Sequence, residues 1–288
     1  MHIYLSEANT GWVDKGYQFA QMEQTKPIPW DDYHIKWCIA VAIISIILCI
    51  AFRNASDRTF RTIVLLSWIV MFVFELYKQR FISTTLVEGV LTYKWADFPF
   101  QLCSTPLYVL PVLGMLRNGS GREYAASYII TYTWIGGLSI YLFPQCVFSN
   151  LVAKNIQSMV HHGIQVFIGI FTAVWYRKKL NGKFFIKGVI VFLFMFMIAM
   201  FLNTTFRDYM IAEGYMSADV TFNMFLISPA MPFSSPIYEE YMLSLSAYDR
   251  IKIYIFGLTM ISAVVILLQR IFLNIGSIFS RKKVEDDE

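Results

Sequence analysis

Residues 97–111 read DFPFQLCSTPLYVLP and place Cys103 in an apolar segment of membrane-spanning character. A second apolar segment, further along the chain, contains the adjacent pair His161 and His162. Ionisable side chains are costly inside a bilayer, and those found there usually serve a function. The first question that the sequence raises is therefore whether Cys103 and a histidine form a catalytic pair.

The composition indicates a membrane protein. Of the 288 residues, 57% are hydrophobic, 17% aromatic and only 15% charged, and the mean hydropathy is +0.51. Soluble domains have a much larger charged fraction. A helix needs about 20 apolar residues to cross the hydrocarbon core, and the chain contains several such runs. We predict an all-α, polytopic membrane protein.

Seven segments are predicted to be transmembrane helices, and they give one membrane domain over residues 35–273. They are residues 35–52, 61–80, 98–116, 123–143, 155–176, 184–203 and 251–272. The fourth contains many small and hydroxyl residues, so it should pack against protein instead of lipid. Residues 204–250 are too apolar for a solvated linker and too rich in proline for one helix, and we expect an outer loop or a re-entrant lid there.

The positions of Lys and Arg predict the orientation of the chain. More than half of the 24 basic residues follow the first, third, fifth and seventh segments. They are Arg53, Arg58, Arg61, Arg117, Arg122, Arg177, Lys178, Lys179, Lys183, Lys187, Arg270, Arg281, Lys282 and Lys283. Because basic loops favour the cytoplasmic side, residues 1–34 should be an extracytoplasmic segment and residues 274–288 a cytoplasmic tail. Residues 1–34 lack the apolar core of a cleavable signal. The net charge of +4 is spread among loops, so no nucleic-acid partner is expected.

The third segment should enter the membrane from outside, with Asp97 as its N-cap and Pro99 in its first turn. Cys103 would then lie roughly 9 Å along the helix axis. Pro106 donates no hydrogen bond to the carbonyl group of Leu102, so the helix is expected to be loosened beside Cys103.

Four other polar side chains are predicted at a similar depth. The fifth segment also enters from outside, which puts His161 and His162 roughly 9 to 10 Å deep. Glu75 lies about 8 Å below the outer end of the second segment by the same rise. Asn203 closes the sixth segment on the same side. We therefore predict a polar layer near the outer leaflet.

Such a layer suits acyl transfer through a thioester. A cysteine thiolate is the nucleophile, and a histidine can take its proton and return it to the second substrate. Glu75 or Asn203 is a candidate for orienting the imidazole, as the third member of a triad does. The helical spacing leaves the choice of histidine open, because Gln157, His161 and Gln165 share one stripe while Ser158, His162 and Gln165 share another.

Simpler interpretations stand beside this one. A cysteine in an apolar helix is usually an inert small hydrophobe, and we read Cys38 and Cys49 in this way. Cys103 has a further alternative, a disulfide with Cys146 on the oxidising side. For Glu75 the alternative is an ion pair with Lys78, three residues later in the helix.

Other familiar sites are not indicated. A metal site built from His34, His161, His162 or Asp97 lacks HxxxH or CxxC spacing, so we predict neither a metal nor another cofactor. The nucleotide patterns GxxxxGK[ST] and GxGxxG and the serine-hydrolase pattern GxSxG are missing from the sequence.

Four motifs carry a family resemblance. They are FPFQLCS at residues 98–104, FP at residues 143–144, HHG at residues 161–163 and NMFLISP at residues 223–229. In this order the chain resembles the YwaF-like integral membrane protein family, which includes a vertebrate transmembrane acyltransferase acting on ether phospholipids. The resemblance implies seven helices and a Cys/His acyl-transfer pair, formed here by Cys103 and by His162 in preference to His161.

The first functional hypothesis is a lipid acyltransferase of the cell membrane that acts near the outer leaflet. Cys103 would be acylated and His162 would act as base and acid. Its partners would be membrane lipids, and the expected substrate contacts are Gln101, Gln165, Asn203 and Asn223. The alternative is a transporter or sensor in which the same polar layer binds a small ligand without catalysis.

Overall fold

The computed structural model describes residues 11–87, 90–231 and 239–285, and most of these residues are helical. The α-helices of these parts are α1 (Gly11–Ala20), α2 (Asp32–Ala51), α3 (Asp57–Tyr77), α4 (Pro106–Met115), α5 (Ser120–Tyr128), α6 (Trp134–Leu142), α7 (Val152–Trp175), α8 (Gly182–Phe201), α9 (Arg207–Ala212), α10 (Glu239–Ser244) and α11 (Ala247–Glu285). Single π-helical turns extend α3 through Lys78–Ile82, join α5 to α6 through Ile129–Thr133, and join α8 to α9 through Leu202–Phe206.

Five of these helical segments are long and apolar enough to cross a membrane. They are Asp32–Ala51, Asp57–Ile82, Val152–Trp175, Gly182–Ala212 and Ala247–Asn274, and Leu102–Met115 is a shorter apolar one. The continuous helix from α5 to α6 coincides with the fourth predicted segment. Its Ser127, Thr131 and Thr133 are fully buried, which confirms that it packs against protein.

Helix α7 is the centre of the bundle. In its most apolar window 72% of the residues are buried, against 17–22% in the other four long helices. Glycines allow neighbouring helices to approach it closely. A Cβ at Gly137 of α6 would lie 2.9 Å from the carbonyl oxygen of His162, and one at Gly169 would lie 2.6 Å from the Trp134 side chain. The two histidines therefore lie on the most enclosed helix.

The helix boundaries follow from local capping. Asp31 Oδ1 accepts a hydrogen bond from the His34 amide at 2.9 Å and so caps α2. Ser56 caps α3 through the Thr59 amide, and Asn181 caps α8 through the Phe184 amide. Each cap satisfies an amide that has no partner within its own helix.

The predicted start of the third segment is wrong. Asp97 ends a short 3₁₀ turn, Trp95–Asp97, and Gln101 has extended backbone. A second 3₁₀ turn covers Leu102–Ser104, and α4 begins only at Pro106. Proline is favoured at a helix start because the first amides need no partner inside the helix. Pro106 therefore begins a helix instead of loosening one, and Cys103 lies in the turn that enters it.

A β-hairpin departs from the all-α prediction. Strand β1 (Thr84–Val87) pairs antiparallel with β2 (Val90–Tyr93). The sequence TTLV–EG–VLTY, with its β-branched residues around a glycine, is typical of two strands joined by a turn. A purely helical interpretation overlooked this local signal.

Within the predicted loop or lid at residues 204–250, residues 204–231 fold back towards the core, and residues 232–238 lie outside the described part. After α9, a 3₁₀ turn at Met224–Leu226 returns the chain to the bundle, where Phe222, Met224 and Ile227 are fully buried. At the C-terminus α11 runs on to Glu285. The predicted tail is therefore helical over most of its length.

Candidate active site

A cavity of about 210 Å³ lies where α3, α7 and the turn before α4 meet. Of the predicted site residues, it is lined by Glu75, Gln101, Cys103, His161 and His162. Gln165, Asn203 and Asn223 are not among its lining residues. The structure thus brings the cysteine and both histidines to one cavity.

His161 supports the backbone of Cys103. Its Nε2 lies 3.0 Å from the carbonyl oxygen of Cys103. A carbonyl oxygen only accepts hydrogen bonds, so Nε2 carries the proton and Nδ1 keeps its lone pair. The buried Nδ1 has no hydrogen-bond partner within the described part of the chain.

His162 has the opposite tautomer. Its Nδ1 donates to the carbonyl oxygen of Ser158 at 2.7 Å, and the Ser158 hydroxyl lies 3.3 Å from the same nitrogen. The lone pair is therefore on Nε2. This atom is buried and has no hydrogen-bond partner among the residues described. Each imidazole consequently has one fixed nitrogen and one basic nitrogen available.

The carbonyl group of Cys103 is held by two donors. Besides His161, the Gln165 amide donates to it at 2.8 Å. In contrast, the Cys103 sulfur makes no hydrogen bond to an imidazole within residues 11–87, 90–231 and 239–285. The backbone at the thiol is therefore fixed, while the side chain has no base bound to it. Catalytic contacts are often loose in a free enzyme and tighten with substrate.

Glu75 does not orient a histidine. Its carboxylate accepts from Lys78 at 2.8 Å and from Gln79 at 2.7 Å, which is the ion pair considered as the alternative. Lys154 lies 3.2 Å from Asp97. Two carboxylates and two ammonium groups thus line the cavity and balance each other's charge.

The predicted substrate contacts at Gln101 and Asn203 are used to hold a loop. Gln101 donates to the carbonyl oxygen of Asn223 at 3.0 Å and accepts from the Phe225 amide at 3.1 Å. Asn203 accepts from the Met224 amide at 2.7 Å and donates to the Met224 carbonyl oxygen at 2.8 Å. These contacts fix Phe225 and Leu226 in left-handed backbone, at φ of 58° and 61°. Residues other than glycine are strained at such φ, and they keep it only where hydrogen bonds and packing hold the backbone.

Asn223 stabilises the same loop through hydrogen bonds to backbone groups later in the loop. Its side chain accepts from the Ser228 amide at 2.8 Å and donates to the carbonyl oxygen of Met231 at 2.6 Å. Gln101 therefore connects this loop to the cavity, since its side chain also lines the cavity wall.

All four cysteines are unpaired thiols, and Cys146 lines the same cavity as Cys103. The described residues contain no group of three or more His, Cys, Asp or Glu side chains that could hold a metal ion. Cys38, which we read as inert, lies 3.4 Å from Nε2 of His34. The i,i+4 spacing of these two residues was the signal available in the sequence.

Two features of the candidate site were not predicted from the sequence. Lys78 and Lys154 line the cavity, although the sequence suggested only an ion pair for the first and nothing for the second. The orienting partner of His162 is a carbonyl group, that of Ser158. A backbone carbonyl group is present at every residue, so this partner could not be recognised from the sequence. Lys154 could have been noticed, because a lysine in the first turn of an apolar helix is visible in the sequence.

The fold and the site define a helical integral membrane protein with a small, charge-lined cavity at one end of its central helix. Residues 30–269 match the model of the TMEM164 family, so the chain belongs to that family. The membership confirms the resemblance found in the sequence motifs at the level of a TMEM164-related membrane protein. No curated protein and no solved structure matches the chain.

Proposed function

We propose that the protein is a lipid acyltransferase that works through a thioester on Cys103. The observation that carries the proposal is the cavity in which Cys103 meets two buried imidazoles, each with an unused basic nitrogen. The YwaF-like resemblance implies the same chemistry. Phospholipids of the cell membrane are the proposed donor and acceptor.

In the first step, Nε2 of His162 takes the thiol proton and the sulfur attacks the ester carbonyl carbon of the donor lipid. The ester C–O bond breaks, the leaving alkoxide takes the proton back from the imidazolium, and the acyl group remains on Cys103. In the second step, the acceptor hydroxyl gives its proton to Nε2 while its oxygen attacks the thioester. The C–S bond breaks, and the leaving thiolate takes the proton from the imidazolium, which restores the thiol and the neutral imidazole.

His162 is suited to the role of general base because its Nδ1–H donates to the Ser158 carbonyl group at 2.7 Å. The contact sets the tautomer and holds the ring, as the carboxylate of a triad does. His161 and Gln165 are positioning residues, since they bind the Cys103 carbonyl group and not its sulfur. The loop held by Gln101 and Asn203 is the proposed lid of the site.

The experiment is acyl labelling of the purified protein with a phospholipid that carries an alkyne-tagged fatty acyl chain. Wild type should acquire a label that hydroxylamine removes, as expected for a thioester, and Cys103→Ala should acquire none. Cys146→Ala is the matched control, because its thiol lines the same cavity. Equal labelling of wild type and Cys103→Ala, or loss of label only in Cys146→Ala, would refute the proposal.

A second candidate function is ligand binding without catalysis. It is favoured by the Cys103 sulfur, which has no imidazole bound to it in the described part of the chain, and by the two balanced ion pairs of the cavity. A transporter or sensor should keep its ligand-induced rise in Tm after Cys103→Ser. The acyltransferase should lose turnover in that variant.

For the membrane topology we propose seven spans, with the N-terminus outside and the C-terminus in the cytoplasm. The five long helices are supplemented by the segment that contains α4 and by the continuous helix from α5 to α6. A C-terminal fusion to green fluorescent protein should fluoresce in intact bacteria, because the fluorophore matures in the cytoplasm. A dark fusion that is present in the membrane fraction contradicts this orientation.

A further inference from the structure

An apolar groove runs along the outside of the bundle between α2, α3 and α7. Its volume is about 520 Å³, and apart from Ser45, Ser67 and the Trp37 indole its lining side chains have no polar group. Along α2 it extends from Trp37 to Phe52, roughly 22 Å at the helical rise. This is most of the ~30 Å hydrocarbon core of a bilayer. The groove has the length and chemistry of a site for a lipid acyl chain.

A basic cavity begins where the groove ends. Phe52 lines the groove and the next residue, Arg53, lines a cavity of about 500 Å³. Three further basic residues line it, Arg177, Lys178 and Lys179, and no acidic residue does. Lys179 is paired with Glu123 at 2.5 Å. Arg53 and Lys178 form no ion pair with any residue that the structure describes.

Asn118 also lines the basic cavity. Its Oδ1 accepts a hydrogen bond from the buried Arg122 at 3.3 Å. The NH₂ group of this exposed side chain is a hydrogen-bond donor that Arg122 does not use. Trp175 lines the wall at the end of α7, and tryptophan is typical of the level of lipid headgroups.

We propose that the groove and the basic cavity together bind one phospholipid with a negatively charged headgroup. The acyl chain lies along α2, and the phosphate group is bound by Arg53 and Lys178. Basic loops alone are explained by membrane orientation. Orientation requires neither a cavity nor an apolar groove that leads into it, whereas basic pockets beside transmembrane helices are typical of anionic-lipid sites. The basic cavity lies at the opposite end of α7 from the Cys103 cavity, and the two cavities share no lining residue. The proposal does not depend on the proposed acyl transfer.

The test measures Tm of the detergent-purified protein with dioleoyl phosphatidylglycerol, dioleoyl phosphatidylcholine or inorganic phosphate added. At saturation, phosphatidylglycerol should raise Tm by roughly 5 °C, and phosphatidylcholine by much less. Arg53→Gln/Lys178→Gln should lose this difference. Arg58→Gln/Lys183→Gln, which removes the same charge from two exposed residues outside the cavity, should keep it. Ser67→Phe, which fills the groove, should reduce the effect of both lipids.

Each possible result of this test either supports or contradicts lipid binding in the groove and basic cavity. Equal shifts with the two lipids in wild type, or equal losses in the two double variants, would overturn the proposal in favour of diffuse charge. If inorganic phosphate reproduces the whole shift and Ser67→Phe has no effect, the cavity binds a free anion and the lipid assignment is wrong. Each shift is taken relative to the same variant without additive, so a lower basal Tm does not affect the comparison.

Discussion

Two places in the described part of the chain bring a cysteine and a histidine close together, and they differ in the state of the imidazole. Cys38 lies 3.4 Å from Nε2 of His34, whose Nδ1 accepts a hydrogen bond from the Trp30 amide at 3.0 Å. That lone pair is occupied, so Nε2 carries the proton and cannot take another from the thiol. At Cys103 the sulfur has no imidazole bound to it among the described residues, yet His161 and His162 both keep a basic nitrogen.

Closeness of sulfur and nitrogen is therefore a poor criterion for a catalytic pair. A general base needs a free lone pair, an orienting contact on its other nitrogen and space for a substrate. His34 has an occupied lone pair. His162 has Nε2 free, Nδ1 bound to Ser158, and a cavity of about 210 Å³ beside it.

The largest expected effect is that of His162→Gln. Loss of a general base typically costs 10²–10⁴-fold in rate, so we expect acyl transfer to fall by at least about 100-fold. His34→Gln should leave the rate within about twofold, because in our interpretation that imidazole does not act as a base. The measurement is the rate of transfer of alkyne-tagged acyl chains between phospholipids.

Tm of both variants serves as the control for folding. If His34→Gln abolishes transfer while His162→Gln leaves it intact, the comparison is reversed and Cys38 becomes the candidate nucleophile.

A smaller effect is expected from Gln165→Leu. The variant removes one of the two donors to the Cys103 carbonyl group, and one hydrogen bond contributes about 1 kcal/mol. We expect a roughly fivefold lower kcat with little change in KM, since a loss of about 1 kcal/mol in transition-state stabilisation corresponds to that factor. Transfer kinetics at varied acceptor concentration measure the two constants separately.

The matched control is Gln269→Leu. Gln269 also donates to a backbone carbonyl group, that of Ile130 at 3.3 Å, and its Oε1 is likewise without a partner among the described residues. It lies on α11, away from the cavity. Equal losses of kcat in the two variants would mean that Gln165 acts only through stability.

The helical membrane class was predictable from the sequence because an apolar run of membrane-spanning length satisfies its backbone hydrogen bonds in a bilayer by forming a helix. Helical rise was a sound guide for His161 and His162, which lie on α7, since position along a helix follows from residue number. It was not one for Cys103, which lies in the turn before α4. The start of α4 was mispredicted because Pro99 and Pro106 are both acceptable first residues, and only packing selects Pro106. The partners of Gln101 and Asn203 were not predictable, because both bind backbone of a loop distant in sequence.

The substitution with the smallest expected effect is that of Asp31, whose carboxylate caps the helix that contains His34. Its carboxylate accepts from the His34 amide at 2.9 Å and from the Ile28 amide at 3.0 Å. The first of these hydrogen bonds is the main reason why the pKa of Asp31 lies below its usual 3.8. Asp31→Ala should lower the free energy of unfolding by about 1 kcal/mol, as expected for loss of an N-cap.

The stability that the Asp31 carboxylate contributes should be lost at low pH. A carboxylate with a lowered pKa in the folded state stabilises fully above its unfolded pKa of 3.8, and this contribution is lost as the pH falls through the folded value. The difference in stability between wild type and Asp31→Ala should therefore be constant near pH 7 and shrink below about pH 4. Denaturant unfolding at several pH values measures it. Acyl transfer by Asp31→Ala should remain at the wild-type rate, and a large loss would mean that His34 and Cys38 take part in the chemistry.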